Sequence, residues 1–341
     1  MTENDINMEK LSKSPRLLIE ADLKPIQGDR FQPTGFPDLG AAVYDTPDNK
    51  RMLLVESAQS VANRLEQTCL KGSGPLIAEE LEGIPYIHVR LLGEVETETS
   101  SLIEAHRINS PFIISNEDFK AKFKDKAGYS KGKPLNWKKI AEAFVYYDPN
   151  SLLHGAFMAN LEDGRVKVQR VLTGFIEAED IREVASGGVK NNPLDPTGKI
   201  RAENYDKNVY GNVPYHRTEY SAGKTVAYFN LDLALLNGYG LDSNARDLLI
   251  ALGLYKIQRF LGCGLRLRTA CDFIVDGIPR VTAPNEYTIP KESDLLKFIQ
   301  KKIAICQEKG LFADPTVTEI VTKVKMAKDT DKTTAGTEDA D

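Results

Sequence analysis

The feature that most constrains this chain is the way the period of its apolar residues changes along it. Arg16 to Ile26 (RLLIEADLKPI) alternates apolar and polar side chains, as a half-buried strand does. Gln27–Gly40 (QGDRFQPTGFPDLG) is dense in Gly and Pro and reads as a loop. From Leu53 the run LLVESAQSVANRLEQTCL has helical spacing, with Leu54, Ala58, Val61, Ala62 and Leu65 on one face. Alternation with β-branching returns at Val166–Ile176, and a further strand is centred on Thr225–Leu233. Ser243–Leu261 then reads as a strong helix, capped by Ser243 or Asp242 and stopped by Gly262, followed by a strand over Leu265–Val275. The order is strand, helix, strand, strand, helix, strand. That is the split βαβ arrangement of ferredoxin-like and RNA-recognition folds, an α+β class that by itself assigns no activity.

The intervening segments set the expected organisation. Residues 1–14 read as a disordered arm, and 15–75 with 161–280 as the core of that arrangement. Residues 76–160 form a mainly helical insertion, with Ile84–Leu92 a strand, Ser100–Asn109 a possible helix, and helices over Asn116–Lys126 and Asn136–Tyr147. Ala185–Val213 is irregular for its length, and loops that long in a compact protein are usually functional or mobile. Over 281–328 the spacing predicts two C-terminal helices, near Glu292–Lys309 and Pro315–Lys328, before a polar acidic tail over 329–341 expected to be disordered.

Composition narrows the function classes. With 341 residues, 41% hydrophobic and 27% charged, the chain has the make-up of a soluble globular protein. No apolar run approaches the roughly 20 residues that span a bilayer, and no secretory signal is visible, so a cytoplasmic protein with no membrane partner is expected. Cys69, Cys263, Cys271 and Cys306 are scattered and form no CxxC pair, which suggests reduced thiols. GxxxxGK[ST], GxSxG and HExxH are absent, as is a strand followed by GxGxxG, and His88, His106 and His154 lie far apart. No cofactor, no metal site and no catalytic residues are therefore expected.

A net charge of −5 argues against binding nucleic acid by bulk charge, but a local basic surface is enough to follow phosphates. Lys120–Lys139 holds eight lysines (120, 122, 124, 126, 131, 133, 138, 139) against one acid, Asp125. It is either a solvated helical surface or a face over a nucleic-acid backbone, and Lys122, Lys124, Lys126, Lys131 and Lys133 are the weak candidates for DNA contact.

The segments QGDRFQPTGFPDLGAA and LLVESAQSVANRLE, with EAHRINSPFI (104–113), GNVPYHRTEY (211–220) and the stretch from YFNLDLALLNGYGL through LRLRTACDF (228–273), resemble one family. It is the backbone subunit, the Cas-seven branch of the RAMP superfamily, of type I-G (formerly I-U) CRISPR Cascade complexes. The resemblance runs over about residues 16–280. It implies an RNA-recognition-like palm, a helical fingers insertion and a thumb hairpin at about 185–214. It also implies copies stacked along a crRNA guide in a helical filament, exposed guide bases paired with target DNA, and association with the other Cascade subunits, a large subunit and one that caps the guide end. Type I members of the family hold nucleic acid and leave cutting to a separate nuclease.

Within that frame the candidate RNA contacts are specific. Gly28, Gly35 and Gly40 let backbone approach a phosphate, Arg30 supplies a guanidinium fork, and Phe31 or Phe36 offers a ring to a base; the alternative is an ordinary turn with a buried Phe. Ser57, Ser60 and Arg64 share a helix face, with Gln59 and Asn63 beside them, although the same residues would equally make a solvated polar face. Lys190, Asn191 and Asn192 offer donors in the thumb segment. His216 and Arg217 touch a phosphate or base, or Arg217 pairs with Glu219. Arg107 serves RNA or a neighbouring subunit. In related type III proteins an acidic residue in such a loop promotes target-RNA cleavage, which makes an endoribonuclease acting through Asp195 the alternative function. An Asp in such a loop is more often a turn residue. A small-ligand protein with a ferredoxin-like core is a third reading.

Overall fold

The computed structural model describes residues 6–36, 39–200 and 211–326. Its centre is an antiparallel eight-stranded sheet. Strand β1 (Leu17–Pro25) runs beside β6 (Lys224–Leu231), and β6 pairs on its other edge with β3 (Leu172–Glu179). β3 is followed outward by β2 (Arg51–Glu56) and the short strand Val43–Asp45. On the far edge β1 pairs with β8 (Cys271–Val275), which forms a hairpin with β7 (Leu265–Arg268), while the first half of β1 pairs with Arg280–Ala283. The four central strands therefore stand in the order β8, β1, β6, β3.

Alternation explains the layer beneath the sheet. Leu17, Ile19, Ala21 and Leu23 of β1 are buried and oppose Leu231, Phe229, Ala227 and Thr225 of β6, so one face is continuous core. Helix α1 (Ala58–Gln67) lays Val61, Ala62 and Leu65 on it, and Gly174 of β3 lets them approach closely. A Cβ at Gly174 would lie 2.8 Å from the Phe229 ring and 3.0 Å from Val61. Helix α2 (Ser243–Gly262) is buried on nearly every side from Leu248 to Ile257, because the sheet, α1 and the helix Glu292–Glu308 surround it.

Inside the insertion, Tyr86–Gly93 pairs antiparallel with Thr97–Ser100 and parallel with Val317–Val324. The helices Glu117–Ala127 and Trp137–Tyr147 close around an aromatic group in which Phe119 meets Tyr147, and Phe123 meets Phe144, edge to face at 5.3 and 5.5 Å.

Several expectations are corrected. The helical run begins at Ala58, not Leu53: Leu53 and Val55 alternate inward as strand β2, and Ser57 caps the helix. Residues 101–109 form turns and a short 3-10 segment, and Ser100 ends the strand Thr97–Ser100, with Arg107 at a positive φ of 51°. The strand expected at 166–176 begins at Leu172 and extends to Glu179. Leu265–Val275 is two strands with a turn between them. Pro315–Lys328 contains a strand in place of a helix, since β-branched VTEIVTKV finds a parallel partner in Tyr86–Gly93. Residues 6–14 of the expected arm are ordered around a short helix, Met8–Ser12, with Ile6 and Leu11 buried. Residues 1–5 and the expected tail lie outside the described residues.

Candidate nucleic-acid interface

The strands β4 (Arg182–Lys190) and β5 (Val213–Ser221) form a two-stranded sheet of their own and leave the main sheet as a hairpin between β3 and β6. Its residues are mostly exposed, and the Gly-rich loop is stitched to its root. Phe31 N–H donates to Tyr220 O at 2.9 Å, and Tyr220 N–H donates back at 2.8 Å. That pairing sets Arg30 beside the root, 59% exposed and 3.6 Å from the Glu219 carboxylate. Arg217 donates to the same carboxylate at 2.8 Å, as the salt-bridge reading required. Glu219 is buried, so a hidden anion aims two guanidinium groups at solvent and leaves one positive charge in excess.

A second hidden anion lies where β2 meets α1. Glu56 is fully buried and accepts from Ser60 Oγ at 2.5 Å, from Arg64 Nε at 2.8 Å, and from Arg268. Arg268 also donates to Gln32 O and Arg64 to Leu267 O, so the two arginines clamp the loop and strand β7 to the helix. Between the loop and the hairpin root opens a cleft of about 630 Å³ lined by Thr34, Gly35, Arg217, Thr218 and Arg268. A smaller one of about 260 Å³ at the other end of α1 is lined by Arg64, Arg259 and Arg266. Carboxylates fixed beneath exposed guanidiniums orient donors for phosphate without neutralising all of them.

The structure separates the sequence candidates. Arg217 lines the larger cleft and Arg64 the smaller, while Arg30 stands at the hairpin root on Glu219. Phe31 is not available to a base: it is 1% exposed and packs on Phe273 at 5.1 Å, because the Phe31–Tyr220 pairing turns its ring into the core. The Phe36 side chain lies outside the described residues. Ser57 acts as the α1 cap and accepts from Ser60 N at 3.2 Å. Ser60 and Arg64 do share a face, but it turns toward Glu56. Gln59 and Asn63 are exposed and bonded to each other at 2.9 Å. His216 lies exposed opposite Gly187, and Lys190 and Asn191 are exposed at the far end of the hairpin. Asn192 is held by Asn212 at 2.8 Å. Asp195 is buried as a turn residue: its carboxylate accepts from Ile200 N at 2.6 Å and from Thr197 Oγ1 at 3.3 Å. An acid so occupied is not poised for RNA cleavage.

Arg107 is a structural residue, forked onto Glu66 at 2.6 and 2.9 Å with Gly155 O at 3.1 Å. On the lysine-rich surface, Lys122, Lys131 and Lys133 are exposed. Lys124 is paired with Glu162, and Lys126 lies 3.8 Å from the centre of the Tyr146 ring, so these two are partly committed within the chain. Cys69, Cys271 and Cys306 are buried and Cys263 exposed; burial pushes the Cys271 thiol up to about 12. Among the described residues no helix is long and apolar enough to cross a membrane, and no group of three His, Cys, Asp or Glu is placed to hold a metal ion. Sequence reasoning missed Arg268, Arg266 and the anchoring roles of Glu56 and Glu219. Alternation in LRLR was the available signal, since it puts Arg266 and Arg268 on one side of a strand.

Comparison with known proteins bears on the first half of the chain. Residues 17–183 match the model of a family described as CRISPR-associated protein GSU0053. No curated protein matches the chain. Among solved structures the chain is similar to one from a "CRISPR RNA-guided surveillance complex, pre-nicking", at 14% identity and a TM-score of 0.40, with 76% of this chain and 74% of that one covered. It is also similar to Csc2 of Thermofilum pendens, at 10% identity and a TM-score of 0.32, with 89% and 80% covered.

Proposed function

We propose that this chain is a guide-RNA-binding backbone subunit of a CRISPR effector complex, of the Cas-seven type within the RAMP superfamily. The observation that carries the reading is a coincidence of two facts. The matched segment 17–183 contains Arg30, Glu56 and Arg64; Arg30 shares Glu219 with Arg217, Arg64 shares Glu56 with Arg268, and Arg217 and Arg268 line one cleft at the root of an exposed hairpin. On this reading the four central strands with α1 and α2 are an RNA-recognition-like palm, the β4–β5 hairpin is the thumb, and residues 76–160 are the fingers. The arginines hold crRNA phosphates, which fixes the strand without reading its bases, so sequence comes from the guide itself. The subunit is non-catalytic, stacks with further copies along the guide, and works beside a large subunit and a guide-end-capping subunit to present the guide to target DNA. Type I-G is the subtype its motifs resemble.

Light scattering of the purified chain with single-stranded RNAs of increasing length tests this. The expected result is a mass that rises in steps with RNA length and falls back in high salt. A chain that stays monomeric and ignores RNA, alone and when co-expressed with guide and partner subunits, overturns it.

A further inference from the structure

A third basic cleft lies away from the hairpin root, against the first turn of α1. It has a volume of about 630 Å³, and the side chains that line it include His106, Asn160, Lys167, Gln169 and Arg170, with no Asp or Glu. Arg170 is its unusual member. Its guanidinium donates to His154 O at 3.2 Å, to Ala58 O at 3.2 Å and to Gln59 Oε1 at 2.7 Å, all of them neutral acceptors. Arg107 stands nearby and already occupies both oxygens of Glu66. Two guanidiniums thus stand near one carboxylate that bonds Arg107 alone, and Arg170 keeps its charge in a half-buried place, where an uncompensated charge is costly. Burial first, and Arg107 second, push the Arg170 pKa down.

Two independent features point the same way. His154 lines the cleft, is 1% exposed, and has Nε2 at 2.8 Å from the Lys256 ammonium. An ammonium has only protons to give, so Nε2 accepts and the ring proton sits on Nδ1, which has no partner. The second feature is backbone strain: Arg107 sits at φ 51°, and a Cβ at Gly155 (φ 81°) would lie 3.1 Å from Arg170 N. At the mouth Phe157 is 45% exposed, with Lys167 Nζ 5.7 Å from its ring centre.

We infer that this cleft holds one nucleotide of a single-stranded nucleic acid, its phosphate on Arg170 and Lys167 and its base against Phe157. The inference rests on the guide-RNA reading and adds a contact site that the hairpin root does not supply. A phosphodiester provides the missing anion, and an aromatic plane beside it accepts any base.

The test uses the full chain with fluorescently labelled single-stranded RNA and single-stranded DNA of one sequence, and the variants Lys167→Ala and Phe157→Ala, each checked by thermal unfolding. Lys167→Ala is expected to reduce the slope of log affinity against log salt by about 0.7. Phe157→Ala is expected to weaken binding by about 5- to 100-fold, and ultraviolet crosslinking of the wild type is expected to mark the peptide containing Phe157. Effects confined to RNA identify the guide as occupant, effects confined to DNA identify a DNA strand, and equal effects identify the shared phosphate chemistry. Wild-type RNA binding that both variants retain, with unchanged slope and no crosslink at Phe157, overturns this site and leaves the guide-RNA reading standing. A wild type that binds neither strand, alone and when co-expressed with guide and partner subunits, overturns both.

Discussion

Glu56 and Glu219 show how single acids organise a basic surface. Each is buried, each holds two arginines, and neither can be removed without stranding those partners. Glu56→Ala is expected to destabilise the fold by about 3 kcal/mol, read from urea unfolding, whereas Arg30→Ala at an exposed position should leave stability within about 0.5 kcal/mol and weaken RNA binding. His154 gives a pH prediction. Burial is the first cause that holds its folded pKa well below the ordinary 6.5. Below about pH 6.5 the unfolded chain therefore takes up a proton that the native protein does not. Stability falls as pH drops, by about 1.4 kcal/mol per pH unit, until the folded pKa is reached. Buried Asp148 acts oppositely, since burial raises its pKa and native protonation then favours the fold at lower pH. Comparing wild type with His154→Gln at about pH 7.5 and about pH 5.5 cancels the Asp148 contribution; the variant should lack the extra acid-side loss. At this scale the exposure of Arg30 was legible, because a guanidinium in a Gly-rich loop has little apolar packing to bury it. Phe31 was not, because a backbone pairing with residue 220 decides where its ring goes, and no local pattern records that pairing.

The hairpin is the element on which the proposed function depends most. It contributes little to the core: β4 has no fully buried residue, and its ties to the rest include Tyr220, Glu219 and an exposed Glu183–Arg51 salt bridge, all at the root. Replacing the segment between Ser186 and Arg217 by a two-residue Asn-Gly turn keeps the root and is expected to move the melting temperature by only a few degrees, about what 1 kcal/mol does. The same change should abolish stepwise growth on RNA. Unchanged RNA-driven assembly would remove the hairpin from the mechanism. A break in the regular pattern was legible at SGGVKNN, but not that Arg182–Lys190 is a strand paired with Val213–Ser221. Elements defined by a distant partner were not legible. LLVESAQS reads as helix until β3 is known to lie beside Leu53, and VTEIVTKV reads as either element until Tyr86–Gly93 supplies a mate.

For the whole molecule, the succession of elements along the chain made an α+β protein with an antiparallel sheet legible, with four of its strands in the order β8, β1, β6, β3, but not the strands Arg51–Glu56 and Arg280–Ala283 that extend it. Charge at this scale is a matter of distribution: a net −5 coexists with arginine clefts and an exposed lysine group. Changing Lys122, Lys131 and Lys133 together to Gln is expected to leave affinity for a short RNA unchanged. If that face meets duplex DNA, the same change should flatten the salt dependence of DNA binding by about 2 to 3 in slope, at roughly 0.9 per phosphate contact. An unchanged DNA slope would assign the face to solvent or to another subunit.

The parallel pairing of Tyr86–Gly93 with Val317–Val324 bears on how the protein is made. His88 and Glu319 are partners across that ladder although 231 residues separate them. On a ribosome, the insertion that contains His88 is synthesised long before the strand that completes its sheet, and the central sheet must close in the interval. Until translation passes residue 324, Tyr86–Gly93 therefore presents an unpaired edge, open to the same strand of a neighbouring nascent chain. Crowded polysomes, rather than heat or acid, are where this protein is most exposed to mispairing, and slowing translation just upstream of Val317 should lower its soluble yield.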